Sequence, residues 1–208
     1  MNLHLLHGTD MDINLLCVAL EDELGDSEWW TEQGYTLVYT GVGKVQAAHR
    51  LVIAITSARL ITTPTMPPNI SIFNYGTAGS LRPDVSGLVE IGKFIQRDMN
   101  ADPIAPRGTI PFSTIDSIKT QSPVSQITCG TGDSFVKEPD VWYTENKIDC
   151  VDMEGWALAY IAKEYNLPFR SFKYISDSAN SNAEFDWKEN CKKGEILIRK
   201  LLDAHTKL

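Results

Sequence analysis

The chain has 208 residues, 43% of them hydrophobic and 22% charged, with a formal net charge of −8. A length and balance of this kind predict a single soluble domain over residues 1–208 that closes its own core without a metal or disulfide staple. The acidic surplus and the lack of any Lys/Arg run argue against a nucleic-acid partner, because phosphate binding needs a clustered basic face.

Apolar runs alternate with helical periods, which predicts an α/β layered fold. Residues 13–20 (INLLCVAL) read as a buried strand and 36–40 (TLVYT) as a second. Residues 44–61 read as a helix with Ala47, Ala48, Leu51, Val52 and Ile55 on one face, stopped by the Pro-rich stretch 62–69. Residues 70–75 (ISIFNY) predict a strand ending in a small-residue turn, Gly76-Thr77-Ala78-Gly79, and 88–95 predict another strand. The segment 98–122 is rich in Pro, Gly and Ser and is expected to be a long loop or flap, a class of segment that usually carries function. Residues 126–129 (QITC) close a strand before the turn 130–135, and 153–165 carry Met153, Trp156, Ala157, Tyr160 and Ile161 at helical spacing. Residues 172–175 predict the last strand, ending at Ser176-Asp177, and 185–202 a closing amphipathic helix. Five or six strands result, each handing its C-terminal end to a Gly-, Ser- or Asp-bearing turn, where open α/β sheets bind ligands.

Cys17, Cys129, Cys150 and Cys191 lack CxxC spacing and read as reduced thiols, which points to the cytoplasm. The first twenty residues are broken by His7, Gly8, Asp10 and Asp12, so neither a signal peptide nor a membrane span is expected. His4, His7 and His205 lie near the ends and His49 stands alone in a helix, which disfavours a Ser-His-Asp machine or a His-rich metal site. No metal or cofactor is expected. Thr40-Gly41-Val42-Gly43-Lys44 joins a strand to a helix and could bring backbone N–H groups to a polar ligand. It is neither a dinucleotide fingerprint, since Gln46 stands where a small residue is needed, nor a Walker loop, since Val45 follows Lys44.

Carboxylates at element ends carry more information. Glu21, Asp22 and Glu23 follow the first strand, Asp152 and Glu154 flank Met153 at a helix start, and Asp177 ends the last strand. Acids at a helix start are commonly dipole partners only. Asp177 is different, because burial at a strand end would raise its pKa and make it a candidate general acid.

The ordered segments VALEDEL, TGVGKVQAA, NYGTAGSL, TGDSFV, VDMEGWALA and KYISDSAN resemble the 5'-methylthioadenosine/S-adenosylhomocysteine nucleosidases, within the wider purine nucleoside phosphorylase superfamily. The resemblance implies a three-layer α/β/α sandwich with a central mixed, twisted sheet, commonly a homodimer whose contact covers part of 98–122. It also implies hydrolysis of a purine N-glycosidic bond through an oxocarbenium-like transition state, with adenine released. By position Asp177 matches the acid at adenine N7 and Glu23 the base that activates water. Glu154 matches the carboxylate on the ribose hydroxyls, with Met153 against the sugar. Phe135 matches the ring stacked on the purine, and the Val136 backbone meets its edge. Thr77, Ala78 and Gly79 line the sugar and base pocket, and Ser176 belongs with the substrate-binding set beside Asp177. Val42, Leu20 and Trp187 are candidates for the wall around the 5' substituent, Trp187 equally for helix packing.

Phosphorylases of the bacterial hexameric type carry an Arg shortly before the small-residue turn, where this sequence has Phe73-Asn74-Tyr75, and without that cation a phosphate site is hard to build. Hydrolysis of methylthioadenosine or adenosylhomocysteine is therefore the leading expectation. Phosphorolysis, a nucleosidase of another purine nucleoside, and a non-catalytic nucleoside-binding protein are the alternatives. Lys173 stands where the family carries Arg, keeping the charge and losing the planar fork.

Overall fold

The computed structural model describes residues 12–60, 68–122, 124–138 and 140–205. The N-terminal tail with His4 and His7, and most of the Pro-rich stretch after the long helix, lie outside them.

Three parallel strands start the sheet: β1 (Asp12–Val18) lies between β2 (Tyr35–Tyr39) and β3 (Asn69–Ser80). Both faces of β1 are covered, which is why its sequence is a continuous apolar run rather than an alternation. Leu15 and Cys17 join the core under α3 (Lys44–Leu60) and α5 (Gly155–Glu164). Leu16 and Val18 face the opposite layer, built from α1 (Glu21–Leu24), α2 (Ser27–Glu32) and α7 (Glu195–His205) through Leu24, Trp30 and Ile198. Each fully buried large side chain of this kind contributes about 1.5–3 kcal/mol. The result is the expected α/β/α layering.

Nine strands are present among the described residues, in the order β2-β1-β3-β8-β7-β5-β6, with β9 (Phe169–Asp177) beside β3 and β4 (Leu88–Glu90) on its other side. β5 (Lys93–Gln96), β6 (Ile118–Lys119), β7 (Thr128–Thr131) and β8 (Cys150–Asp152) complete the set. The sheet is mixed: β9 runs parallel to β3, while β8 meets the end of β3 antiparallel at Gly79 and Ser80.

Several expectations need correction. Residues 76–79 form no turn; β3 continues through them to Ser80. This stretch meets β9 along one edge and β8 at its end, and the bare backbone of Gly79 leaves room for the carboxylate of Asp177, whose Oδ1 lies 2.5 Å from where a Cβ would stand. Residues 88–95 break into β4 and β5 at Ile91-Gly92, because β4 pairs with β9 and β5 with β6 and β7. The segment 98–122 is mostly irregular but contains β6. The closing helix is two helices, α6 (Ala183–Asn190) and α7, separated around Gly194, which packs against Tyr75 and Tyr174 too closely for any side chain. The count of five or six strands missed short ones such as β8, whose three residues are too few for a visible period. It also missed α1, α2 and α4 (Val141–Glu145); α2 is announced only by Asp26, whose side chain accepts from Glu28 and Trp29 N–H as an N-cap.

Candidate active site

The C-terminal ends of β1, β3, β8 and β9 converge on one cavity of about 220 Å³. Every site residue expected from the sequence lines it: Glu23 from α1, Val42 from the loop before α3, Thr77, Ala78 and Gly79 from β3, Phe135 and Val136 after β7, Met153 and Glu154 between β8 and α5, and Ser176 and Asp177 from β9. Leu20 and Trp187 line it as well.

Asp177 is aimed by a bulge. Ala78 pairs with Ile175 and Gly79 with Asp177, so Ser176 is the extra residue on β9. The carboxylate accepts from Ala179 N–H at 2.9 Å and from the Ser176 hydroxyl at 2.9 Å. Burial pushes its pKa above the ordinary carboxyl value in spite of those two donors, so it keeps a proton to higher pH than an exposed Asp.

Glu23, only 3% exposed, is held by three donors. Oε1 accepts from Thr77 N–H at 2.9 Å and the Thr77 hydroxyl at 2.6 Å, and Oε2 from Leu20 N–H at 3.2 Å. Glu23 is thus anchored at Thr77 and Asp177 at Gly79, two residues or roughly 7 Å apart along one strand.

Asp152 and Glu154 divide the work at the start of α5. Asp152 accepts from Gly155 N–H at 2.9 Å and from the Thr131 hydroxyl at 2.6 Å, and it pairs with the Lys173 ammonium at 2.8 Å. Burial works to raise its carboxyl, and Lys173 with these hydrogen bonds outweighs it and holds the group below the ordinary value. The dipole reading therefore fits Asp152. It does not fit Glu154, which makes no cap bond and instead accepts from Gly43 N–H at 2.9 Å. Burial pushes Glu154 up to about 7, opposed by Lys173 and reinforced by Asp152. Gly155 is required at the start of α5: a Cβ would lie 2.1 Å from the Phe94 ring and 2.5 Å from Asp152 Oδ2.

Lys173 is 1% exposed and faces Asp152 and Glu154 beneath the cavity, and both raise its pKa against the effect of burial. Sequence reading saw a retained charge and missed its buried partner. It also missed Arg97, a 3% exposed lining residue that donates to the carbonyls of Gly132 and Ser134 and so holds the loop bearing Phe135. Asn74 lies off the cavity, inside the sheet, donating to Cys17 C=O at 3.1 Å and accepting from Ser171 at 2.9 Å. The loop before α3 is tied to the same Phe135-bearing loop, because Asp133 accepts from Lys44 N–H at 2.8 Å and Asp98 accepts from both Lys44 Nζ at 2.5 Å and Asp133 N–H at 2.9 Å. Phe135 remains 39% exposed, an apolar ring open to a planar partner.

A mostly apolar cavity with two carboxyls in unlike environments can separate an acid from a base, the arrangement that cleaves glycosidic bonds. A nucleosidase for 5'-methylthioadenosine/S-adenosylhomocysteine from Buchnera aphidicola is 27% identical over 175 residues, covering 74% of this chain and 72% of the relative. The structure of the enzyme of that name from Helicobacter pylori superposes with a TM-score of 0.76 at 21% identity, covering 96% of this chain and 99% of that one. Futalosine hydrolase of Helicobacter pylori superposes with a TM-score of 0.74 at 19% identity, over 93% and 98% of the two chains. The family model of the phosphorylase superfamily matches residues 28–206, and the chain belongs to that superfamily.

Proposed function

We propose that the protein hydrolyses the N-glycosidic bond of a 5'-modified adenosine, methylthioadenosine or adenosylhomocysteine, and releases adenine. The observation that carries this reading is the pair Asp177 and Glu23, one carboxyl raised by burial and one held by three donors, anchored two residues apart on β3. Asp177 gives its proton to purine N7, so that the base departs neutral. Glu23 takes a proton from water, which attacks the anomeric carbon. Glu154 accepts from the ribose hydroxyls, and its charge, close to the sugar, stabilises the developing oxocarbenium ion. Phe135 stacks on the purine, Met153 lies against the sugar, and Val136, Thr77, Ala78, Gly79, Ser176 and Val42 shape the remaining wall.

Water rather than phosphate is supported by the partners that the two nearby cations already hold, the Arg97 Nε excepted. Lys173 is paired with Asp152, and Arg97 holds the Gly132 and Ser134 carbonyls. Chromatography of methylthioadenosine, adenosylhomocysteine and adenosine incubated with the protein, with and without phosphate, tests the reading. Adenine and free sugar independent of phosphate are expected. Release only with phosphate would make the protein a phosphorylase, and tight binding without release a nucleoside-binding protein.

Glu154 adds a pH signature. Its carboxyl must be ionised to accept two hydroxyl protons, and its pKa near 7 in the free protein places an acid limb there in the profile of kcat/KM. Glu154→Gln is expected to remove that limb and to lower kcat/KM roughly 10- to 100-fold, the worth of about 1.5–3 kcal/mol of charge-assisted hydrogen bonding. An unchanged limb in the variant would assign it to another group.

The reading includes a cytoplasmic homodimer acting in methionine salvage. It is supported by four buried free cysteines and by the exposure of Ile104 and Phe112 in the 98–122 segment. Among the described residues no helix is long and apolar enough to cross a membrane.

A further inference from the structure

Trp187 does more than line the cavity. Its indole Nε1–H lies 2.9 Å from the Thr77 hydroxyl oxygen, and that hydroxyl lies 2.6 Å from Glu23 Oε1. An indole N–H only donates, and an ionised carboxylate only accepts. The Thr77 oxygen therefore accepts a hydrogen bond from the indole N–H, and its own O–H donates to Glu23 Oε1. The hydroxyl is locked in one orientation by the chemistry of its two neighbours. The indole itself is supported, because α6 is fastened at its far end by Asn190, whose Nδ2 donates to the Ser176 carbonyl at 2.7 Å. α6 thus bridges the ends of β3 and β9, touching the anchor of Glu23 with one side chain and the bulge beside Asp177 with another.

We propose that Trp187 is a positioning residue for the base, holding the Thr77 hydroxyl as a donor to Glu23 so that the carboxylate is fixed in its water-facing geometry. The proposal rests on the reading of Glu23 as the base. A Trp that served only as packing or as a wall for the 5' group would act through its carbon surface and would change affinity. A donor in a relay acts on the geometry of the reacting groups, where a misplacement of about 1 Å costs up to roughly 10²-fold in rate.

The test is a double-mutant cycle on adenine release from methylthioadenosine. Trp187→Phe keeps an aromatic ring and removes the donor; kcat is expected to fall roughly 10- to 100-fold with KM within about threefold. Thr77→Val removes the hydroxyl and is expected to cost at least as much, and Thr77→Ser, which restores it, to recover most of that loss. In the Thr77→Val background, Trp187→Phe is expected to add less than about twofold, because the relay is already broken. The chain has five tryptophans, so the indole N–H spectrum of 15N-labelled protein is simple enough to follow. The resonance lost in Trp187→Phe is expected to shift in Thr77→Val, a readout that needs no turnover and also shows that each variant is folded. Multiplicative effects in the double variant, or a raised KM with unchanged kcat in Trp187→Phe, would overturn the relay while leaving the nucleosidase reading intact. Absence of adenine release from the wild type would overturn that reading, and the relay with it.

Discussion

Asp177→Asn is expected to lower kcat for adenine release by roughly 10²- to 10⁴-fold, the usual worth of a positioned general acid, and to leave the Kd for methylthioadenosine within a few-fold. The substitution is close to isosteric. The amide oxygen still accepts from Ala179 N–H, and the amide nitrogen can donate to the Ser176 hydroxyl, reversing the bond now made by Ser176. What is lost is the transferable proton, which the raised carboxyl retains to higher pH than an exposed Asp. The sign follows: the wild-type rate falls on the alkaline side as Asp177 ionises, and the variant has no such limb to lose. Single-turnover assays and equilibrium binding separate the two quantities. Full activity in Asp177→Asn would remove Asp177 from the acid role and return the search to the other cavity groups.

Lys173→Met is expected to destabilise the fold by about 3–5 kcal/mol, because it leaves a buried carboxylate without its counter-charge. For a chain of this size that corresponds to a fall in Tm of roughly 6–20 °C. Asp152, 5% exposed, and Glu154, 7% exposed, both face the ammonium, so no water replaces what Met removes. The pH dependence is specific. In the wild type the Asp152 carboxyl is held below its ordinary value, so its contribution is present above the unfolded pKa and is lost as pH falls through the folded one. The Lys173 ammonium is raised, so its contribution is present below its unfolded pKa and is lost as pH rises through the folded one. Between those limits the pair is intact, and the deficit of the variant is largest there. As pH falls and Asp152 takes up a proton, the gap between variant and wild type narrows. Thermal melts at neutral and acidic pH measure this. Lys173→Met with Asp152→Asn removes both charges and is expected to recover more than half of the loss; a single variant melting within 2 °C of the wild type would show that the pair contributes little.

The layered α/β architecture was legible because it depends on local patterns. The apolar run of β1, the helical period of α3 and the β9 apolar core each declare their burial without reference to the rest of the chain. The candidate site residues were legible for a related reason. Short segments at strand ends carried enough of the family pattern to name Glu23, Glu154 and Asp177, and all three line the same cavity. What was not legible is what depends on neighbours distant in the chain. Gly76-Thr77-Ala78-Gly79 read as a turn on local propensity, yet it is strand, because β9 and β8 supply its pairing and Asp177 needs the space a side chain at Gly79 would fill.

The sequence by itself determined the longer elements, their apolar faces and the inventory of acids, since these follow from residue type and spacing along the chain. Only the tertiary structure decided which of the acids are buried and what each is paired with. Lys173 meets Asp152, and Trp187 meets Thr77, because separate strands and helices end at one edge of the sheet. Desolvation and hydrogen bonding act over a few ångströms in space, and no spacing in the sequence encodes that distance.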